Sequence, residues 1–181
     1  MEPFTEWENF YVIVGSSAGA LTGLTFVAVT LTREARTRGA GQGIPAYTTP
    51  TIVYFSVVLF VCALLSAPWS DVLPPTLILG VCGIAGVIYT LIVTRRLRRF
   101  NGNYTPVLED WLANSVAPLV AYLALAVTGV LLLWNAEVAL FVAAGAMLLL
   151  IFDGIHNAWD VATYIVVAQG LGTDKRDETT A

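Results

Sequence analysis

The sequence predicts an all-α integral membrane protein, a bundle of five transmembrane helices. Of its 181 residues, 57% are hydrophobic and only 12% are charged, whereas soluble domains usually carry about 25% charged residues. The apolar residues form long blocks, and the mean hydropathy is +0.74. The alternating pattern of a membrane β-barrel is absent. Each block is therefore predicted to be a helix, in which the backbone hydrogen bonds are satisfied internally.

Five blocks are long enough, or nearly so, to cross a hydrocarbon core about 30 Å thick, which takes about 20 helical residues. They lie at approximately residues 10–32, 50–69, 75–94, 112–134 and 137–159. We expect the last helix to continue to about residue 169, so that the transmembrane domain covers residues 1–169. The small and polar residues of 170–181 predict a disordered cytoplasmic tail.

Basic residues are confined to alternate connections. The nine Lys and Arg residues follow the first, third and fifth blocks, at Arg33, Arg36, Arg38, Arg95, Arg96, Arg98, Arg99, Lys175 and Arg176. The remaining connections carry acidic residues without Lys or Arg. Because cytoplasmic loops are enriched in basic residues, this pattern predicts an N-terminus outside and a C-terminus in the cytoplasm. The predicted location is the cell inner (plasma) membrane, which the chain crosses several times.

The first block contains a G-x-S-x-G match at Gly15–Gly19, with Ser17 at its centre. In hydrolases such a serine stands on a sharp turn between a strand and a helix, whereas these residues lie inside a continuous apolar block. The chain has one histidine, His156, which should differ from Ser17 in membrane depth by roughly 10 Å. The match is therefore interpreted as part of a helix surface, and no residue is predicted to be catalytic.

Small residues in the first and third blocks predict close helix packing. Their glycines recur at short intervals along the chain, at Gly15, Gly19 and Gly23 and at Gly80, Gly83 and Gly86. Faces of small residues let helix backbones approach closely in membranes. We expect these glycines to form grooves for neighbouring helices.

Polar side chains gather on the last helix, in the stretch "IFDGIHNAWDVATYIV". At 100° per residue, Asp160 and Tyr164 each lie within about 20° of Asp153, on either side of it, and His156 and Asn157 flank these three residues. Ionisable residues inside a span usually face protein or water and are functional candidates. These five residues are the candidate ion- or proton-handling site.

Three interpretations of this polar face remain open. It could be a structural network of ion pairs with Arg95, Arg96, Arg98 and Arg99, which follow the third block. It could handle protons or cations, because a carboxylate beside an imidazole can exchange protons near neutral pH. The spacing of Asp153, His156 and Asp160 could also serve a metal, but no second shell of histidine or cysteine joins them. No metal site and no cofactor are therefore predicted.

The predicted function is that of an oligomeric ion- or proton-conducting channel or transport component. The alternative is a non-catalytic accessory or scaffold subunit, and a membrane enzyme ranks third because no nucleotide loop or cofactor motif is present. The expected partners are the lipid bilayer and further copies of the chain or another membrane protein. A nucleic-acid partner is not expected at a net charge of −4.

Overall fold

The computed structural model describes the backbone of residues 2–37, 45–100 and 115–179, and the side chains of 4–30, 49–95, 115–160 and 162–163. The described chain is all-helical, as predicted. After a single helical turn at Glu2–Thr5, five helices follow: α1 (Glu8–Thr37), α2 (Pro45–Ser66), α3 (Leu73–Phe100), α4 (Ala117–Leu131) and α5 (Ala136–Thr179).

Four of these helices are long and apolar enough to cross a membrane: α1, α2, α3 and α5. The described part of α4 has 15 residues, which is about 22 Å and shorter than a hydrocarbon core. Residues 112–114, where the fourth span was predicted to begin, lie outside the described residues. The structure is thus compatible with a multi-pass membrane protein, and the number of passes stays a prediction.

Local signals start the helices where they do. The carboxylate of Asp71 accepts a hydrogen bond from the backbone N–H of Leu73 (3.2 Å) at the start of α3. The side-chain oxygen of Asn135 does the same for Val138 (3.1 Å) at the start of α5. Pro118 lies in the first turn of α4, where its missing N–H would have had no helical partner. Helix ends with such caps expose fewer unsatisfied backbone groups.

The helices pack in the order α1–α2–α5–α4–α3, so α1 and α3 lie at the two edges. The core between them is apolar and contains large buried side chains such as Leu65, Leu125 and Met147. Many other large apolar side chains are exposed, among them Phe26, Ile84 and Phe141. Such a surface suits hydrocarbon rather than water.

The bundle has two distinct ends. The connections 67–72 and 132–135 lie at the end we name the short-loop end, where the rings of Trp7 and Phe141 also meet with centroids 4.7 Å apart. The opposite end, where α2 and α4 begin, carries the exposed Arg95, and we name it the basic end. Antiparallel neighbours joined by short connections produce this arrangement.

Close helix packing involves only some of the predicted glycines. A Cβ added at Gly83 would overlap the backbone of Ala126 in α4, and one at Gly15 would come within 2.9 Å of Cys62 in α2. Gly19 lies at an ordinary contact distance from Leu59, whereas Gly23 has open space around it.

The other predicted glycines also differ in how closely a neighbouring helix packs against them. A Cβ at Gly86 would overlap the ring of Tyr122. The space above Gly80 is open, but its backbone is the surface against which Gly129 of α4 packs, a contact the sequence did not indicate. Close approach of α3 and α4 therefore depends on glycines from both helices.

The last helix extends further along the chain than the sequence predicted. It runs to Thr179, ten residues beyond the predicted end at about 169, through the segment expected to be a disordered tail. No proline follows Ala136, so every residue of the helix can donate its backbone N–H. The helix of 44 residues is roughly 66 Å long and exceeds a hydrocarbon core by about a factor of two.

Candidate functional site

Two of the predicted site residues on α5 lie inside the bundle. Asp153 is 5% exposed and Asn157 is 2% exposed. They are four residues apart, so their side chains project from the same helix face. The two residues lie toward the basic end, in the part of α5 that packs against the beginning of α2. This packing places a carboxylate and an amide in the protein interior.

Tyrosines from two other helices lie near Asp153. Tyr54 of α2 and Tyr122 of α4 are close enough to interact electrostatically with Asp153, and Tyr89 of α3 lies near both tyrosines. The rings of Tyr54 and Tyr122 have centroids 6.3 Å apart and are tilted by 57°. We name Tyr54, Tyr89, Tyr122, Asp153 and Asn157 the polar cluster. Four helices contribute to it.

Two glycines leave the space in which aromatic rings pack at the cluster. Tyr122 lies directly on Gly86 of α3, in space that any side chain there would occupy. Phe55 of α2 lies on Gly154, next to Asp153, at 2.5 Å from the position that a Cβ would take. The absence of a side chain at Gly154 leaves room for this ring to pack against α5 beside the carboxylate.

Several polar atoms of the cluster have no hydrogen-bond partner among the described residues. These atoms are Oδ2 of Asp153, both amide atoms of Asn157 and the hydroxyl groups of Tyr89 and Tyr122. In most proteins buried polar atoms are paired, and an exception needs an explanation. Ordered water or a bound ion commonly accounts for such atoms.

His156 and Asp160 do not join the cluster. Their side chains are 47% and 52% exposed, and Nε2 of His156 lies 3.5 Å from Oδ2 of Asp160. The expectation of one continuous polar face therefore needs correction. Asp160 points in nearly the same direction as Asp153 but lies about 10 Å further along the helix, beyond the level at which the tyrosines surround α5. The side chain of Tyr164 lies outside the described residues.

The predicted arginine partners are not seen at Asp153. Arg95 is exposed, and among the described side chains the ion pair on α5 is the one between His156 and Asp160. The side chains of Arg96, Arg98 and Arg99 lie outside the described part of the chain. The hypothesis of a structural ion-pair network through those three residues thus stays a prediction.

The spacing of Asp153, His156 and Asp160 does not bring a metal-ligating trio together. Asp153 points into the bundle while the other two side chains lie on its exposed surface. Within the described ranges, no three His, Cys, Asp or Glu side chains cluster closely enough to hold a metal ion. The two cysteines, Cys62 and Cys82, are free thiols in separate helices.

Ser17 lies on an exposed part of α1 and its hydroxyl donates to the backbone carbonyl of Ile13 (2.7 Å). Ser16 makes the same kind of bond to Val12 (2.6 Å). Both bonds span four residues within one helix, the usual behaviour of a serine inside a helix. The geometry of a nucleophile elbow, a turn between strand and helix, does not occur at this position.

Sequence reasoning missed the tyrosines of the polar cluster. A usable signal was present, because a tyrosine within an apolar span must find a partner for its hydroxyl group or leave it unsatisfied. Tyr54, Tyr89 and Tyr122 each lie within an apolar block. The sequence could not show that they meet, because the packing order of their helices differs from the order of the helices along the chain.

The fold and the cluster together define a class: a small all-helical bundle, apolar enough to be a multi-pass membrane protein, with a buried acidic polar cluster between four of its helices. Comparison of the chain with protein-family models, with curated proteins and with solved structures found no match.

Proposed function

We propose that the protein binds a single positive charge, a proton or a small cation, at the polar cluster, as a component of an ion-conducting or transport assembly in the cell membrane. The observation that supports this proposal is the burial of Asp153 inside an apolar span without a described basic partner. A carboxylate inside an apolar span lowers the stability of the protein and is usually functional.

The proposal includes the topology that the charge pattern predicts. We propose five passes, with α4 completed at its beginning by residues before Ala117, the N-terminus outside and the C-terminus in the cytoplasm. The basic end of the bundle then faces the cytoplasm, and the polar cluster lies nearer to that side. We further propose that several copies assemble, because 181 residues offer little room for a complete pathway in one copy.

The test is ion and proton flux into proteoliposomes, measured from pH 5 to 8 for the native protein, Asp153→Asn and Asp160→Asn. We expect flux from the native protein, a loss of at least about tenfold in Asp153→Asn, and little change in Asp160→Asn. The last variant removes an equal charge from the exposed surface of the same helix. Equal flux in all three preparations would contradict a role for the cluster.

An accessory or scaffold role is the second candidate, and the surface of α1 favours it. This helix lies at an edge of the bundle, and few residues of its apolar segment are buried. Ser16, Ala20 and Gly23 are exposed on it, and small residues of this kind allow another helix to approach closely. A folded native preparation without flux would favour this candidate over conduction.

A further inference from the structure

The polar cluster contains one acidic group, the carboxyl of Asp153, which can supply one negative charge. Among the described residues, Asp153 is the one acidic side chain that is buried, while Arg95 and His156 are exposed. Buried charges in proteins are paired or coordinate metal ions. One carboxylate balances one positive charge, so the ligand that fits this cluster is monovalent.

The number of unpartnered oxygens favours a metal cation over a proton. A proton on Asp153 would remove its charge and pair with a single acceptor, whereas Oδ2 of Asp153, Oδ1 of Asn157 and the hydroxyl oxygen of Tyr122 are all buried without a partner among the described residues. A metal cation accepts both a carboxylate oxygen and an amide oxygen as ligands, since hard cations prefer oxygen. The spacing of four residues puts these two oxygens on one face of α5.

We infer that the polar cluster is a binding site for a small monovalent metal cation of the sodium and potassium class, with Oδ2 of Asp153 and Oδ1 of Asn157 as its main ligands. The hydroxyl oxygen of Tyr122, which lies near Asp153 and is buried and unpartnered among the described residues, supplies a further oxygen ligand. The inference rests on the proposed function, because it names the ion that the same site takes.

The experiment measures thermal unfolding of the purified protein in detergent, in sodium, potassium, lithium or choline chloride at equal ionic strength and fixed pH. A ligand that binds only the folded state stabilises it, so we expect one or more of the small cations to raise the unfolding midpoint by about 5 °C over choline at saturation. Asp153→Asn and Asn157→Ala should lose this shift, and Asp160→Asn should keep it.

Binding of radioactive sodium or rubidium to the native protein gives a second readout that does not depend on variants that fold poorly. Saturable binding that choline does not displace supports the inference. Identical midpoints in all four salts and no isotope binding overturn it. If flux still depends on Asp153, the ion is a proton and the proposed function survives. If that flux is also absent, both proposals fail.

Discussion

At the scale of single residues, Asp153 decides between a functional and a structural interpretation of α5. A member of a buried ion pair that loses its charge leaves the partner charge unpaired, which typically destabilises a protein by about 3–5 kcal/mol. Removing the charge of a buried acid that has no partner should instead stabilise the protein, because burial of an unpaired charge destabilises the fold. The described surroundings of Asp153 are phenol, amide and apolar groups, without a basic side chain.

We therefore predict that Asp153→Asn unfolds at the same temperature as the native protein, or at a higher one, when both are measured in choline chloride. Its control is Asp160→Asn, a change on the exposed surface that should alter the free energy of unfolding by less than about 0.5 kcal/mol. A loss of several kcal/mol in Asp153→Asn would instead identify a buried ion pair, with an arginine beyond the described side chains as the partner.

Individual residues also show how much of the candidate site could be predicted from the sequence. The sequence indicated Asp153 and Asn157, because polar residues in an apolar block stand out without any knowledge of the fold. It also grouped them with His156 and Asp160, which the structure places on the exposed surface. Angles around a helix axis depend only on sequence spacing, whereas burial depends on how far the neighbouring helices extend at each level.

At the scale of elements, the contact between α3 and α4 includes direct packing of one backbone against the other. Gly83 lies against the backbone of Ala126, and Gly129 lies against the backbone of Gly80. In lipid, close packing of this kind replaces the hydrophobic effect as the force that holds helices together. It also holds Tyr122 of α4 in position beside Asp153.

We predict that Gly83→Ala destabilises the protein by about 1–3 kcal/mol, because the added methyl group forces the two backbones apart. The matched variant is Gly23→Ala on α1, which has nothing within 4 Å and gains up to about 1 kcal/mol of helix propensity. Unfolding by denaturant in detergent measures both. Similar effects of the two substitutions would mean that α3 and α4 do not approach as closely as described.

At the scale of the whole molecule, the two halves of the bundle differ in polarity. The half near the basic end contains the polar cluster and the hydrogen-bonded pair of Thr94 and Ser115 (3.2 Å). The half near the short-loop end is filled with large apolar side chains such as Leu65, Leu79 and Leu140. A charged ligand should therefore reach the cluster from the basic end, because the cluster lies nearer to that end.

Labelling of single cysteines tests this access together with the topology, after Cys62 and Cys82 are replaced by alanine. In sealed vesicles of known orientation, a membrane-impermeant thiol reagent should label Ser70→Cys only from outside and Thr163→Cys only from the cytoplasmic side. A small cationic reagent should reach Asn157→Cys from the cytoplasmic side alone. Labelling of Ser70→Cys and Thr163→Cys from the same side would overturn the topology.

The sequence by itself determined the all-helical class, the apolar character of the helices and the presence of an acid inside the last one. These properties are local, since hydropathy and helix formation follow from the composition of each block. Only the tertiary structure decided that Asp153 and Asn157 face inward, that Tyr54 and Tyr122 lie near Asp153, and that aromatic rings pack on Gly86 and Gly154. The physical reason is that these contacts join distant parts of the chain, and the packing order α1–α2–α5–α4–α3 depends on the shapes of all the helix surfaces at once.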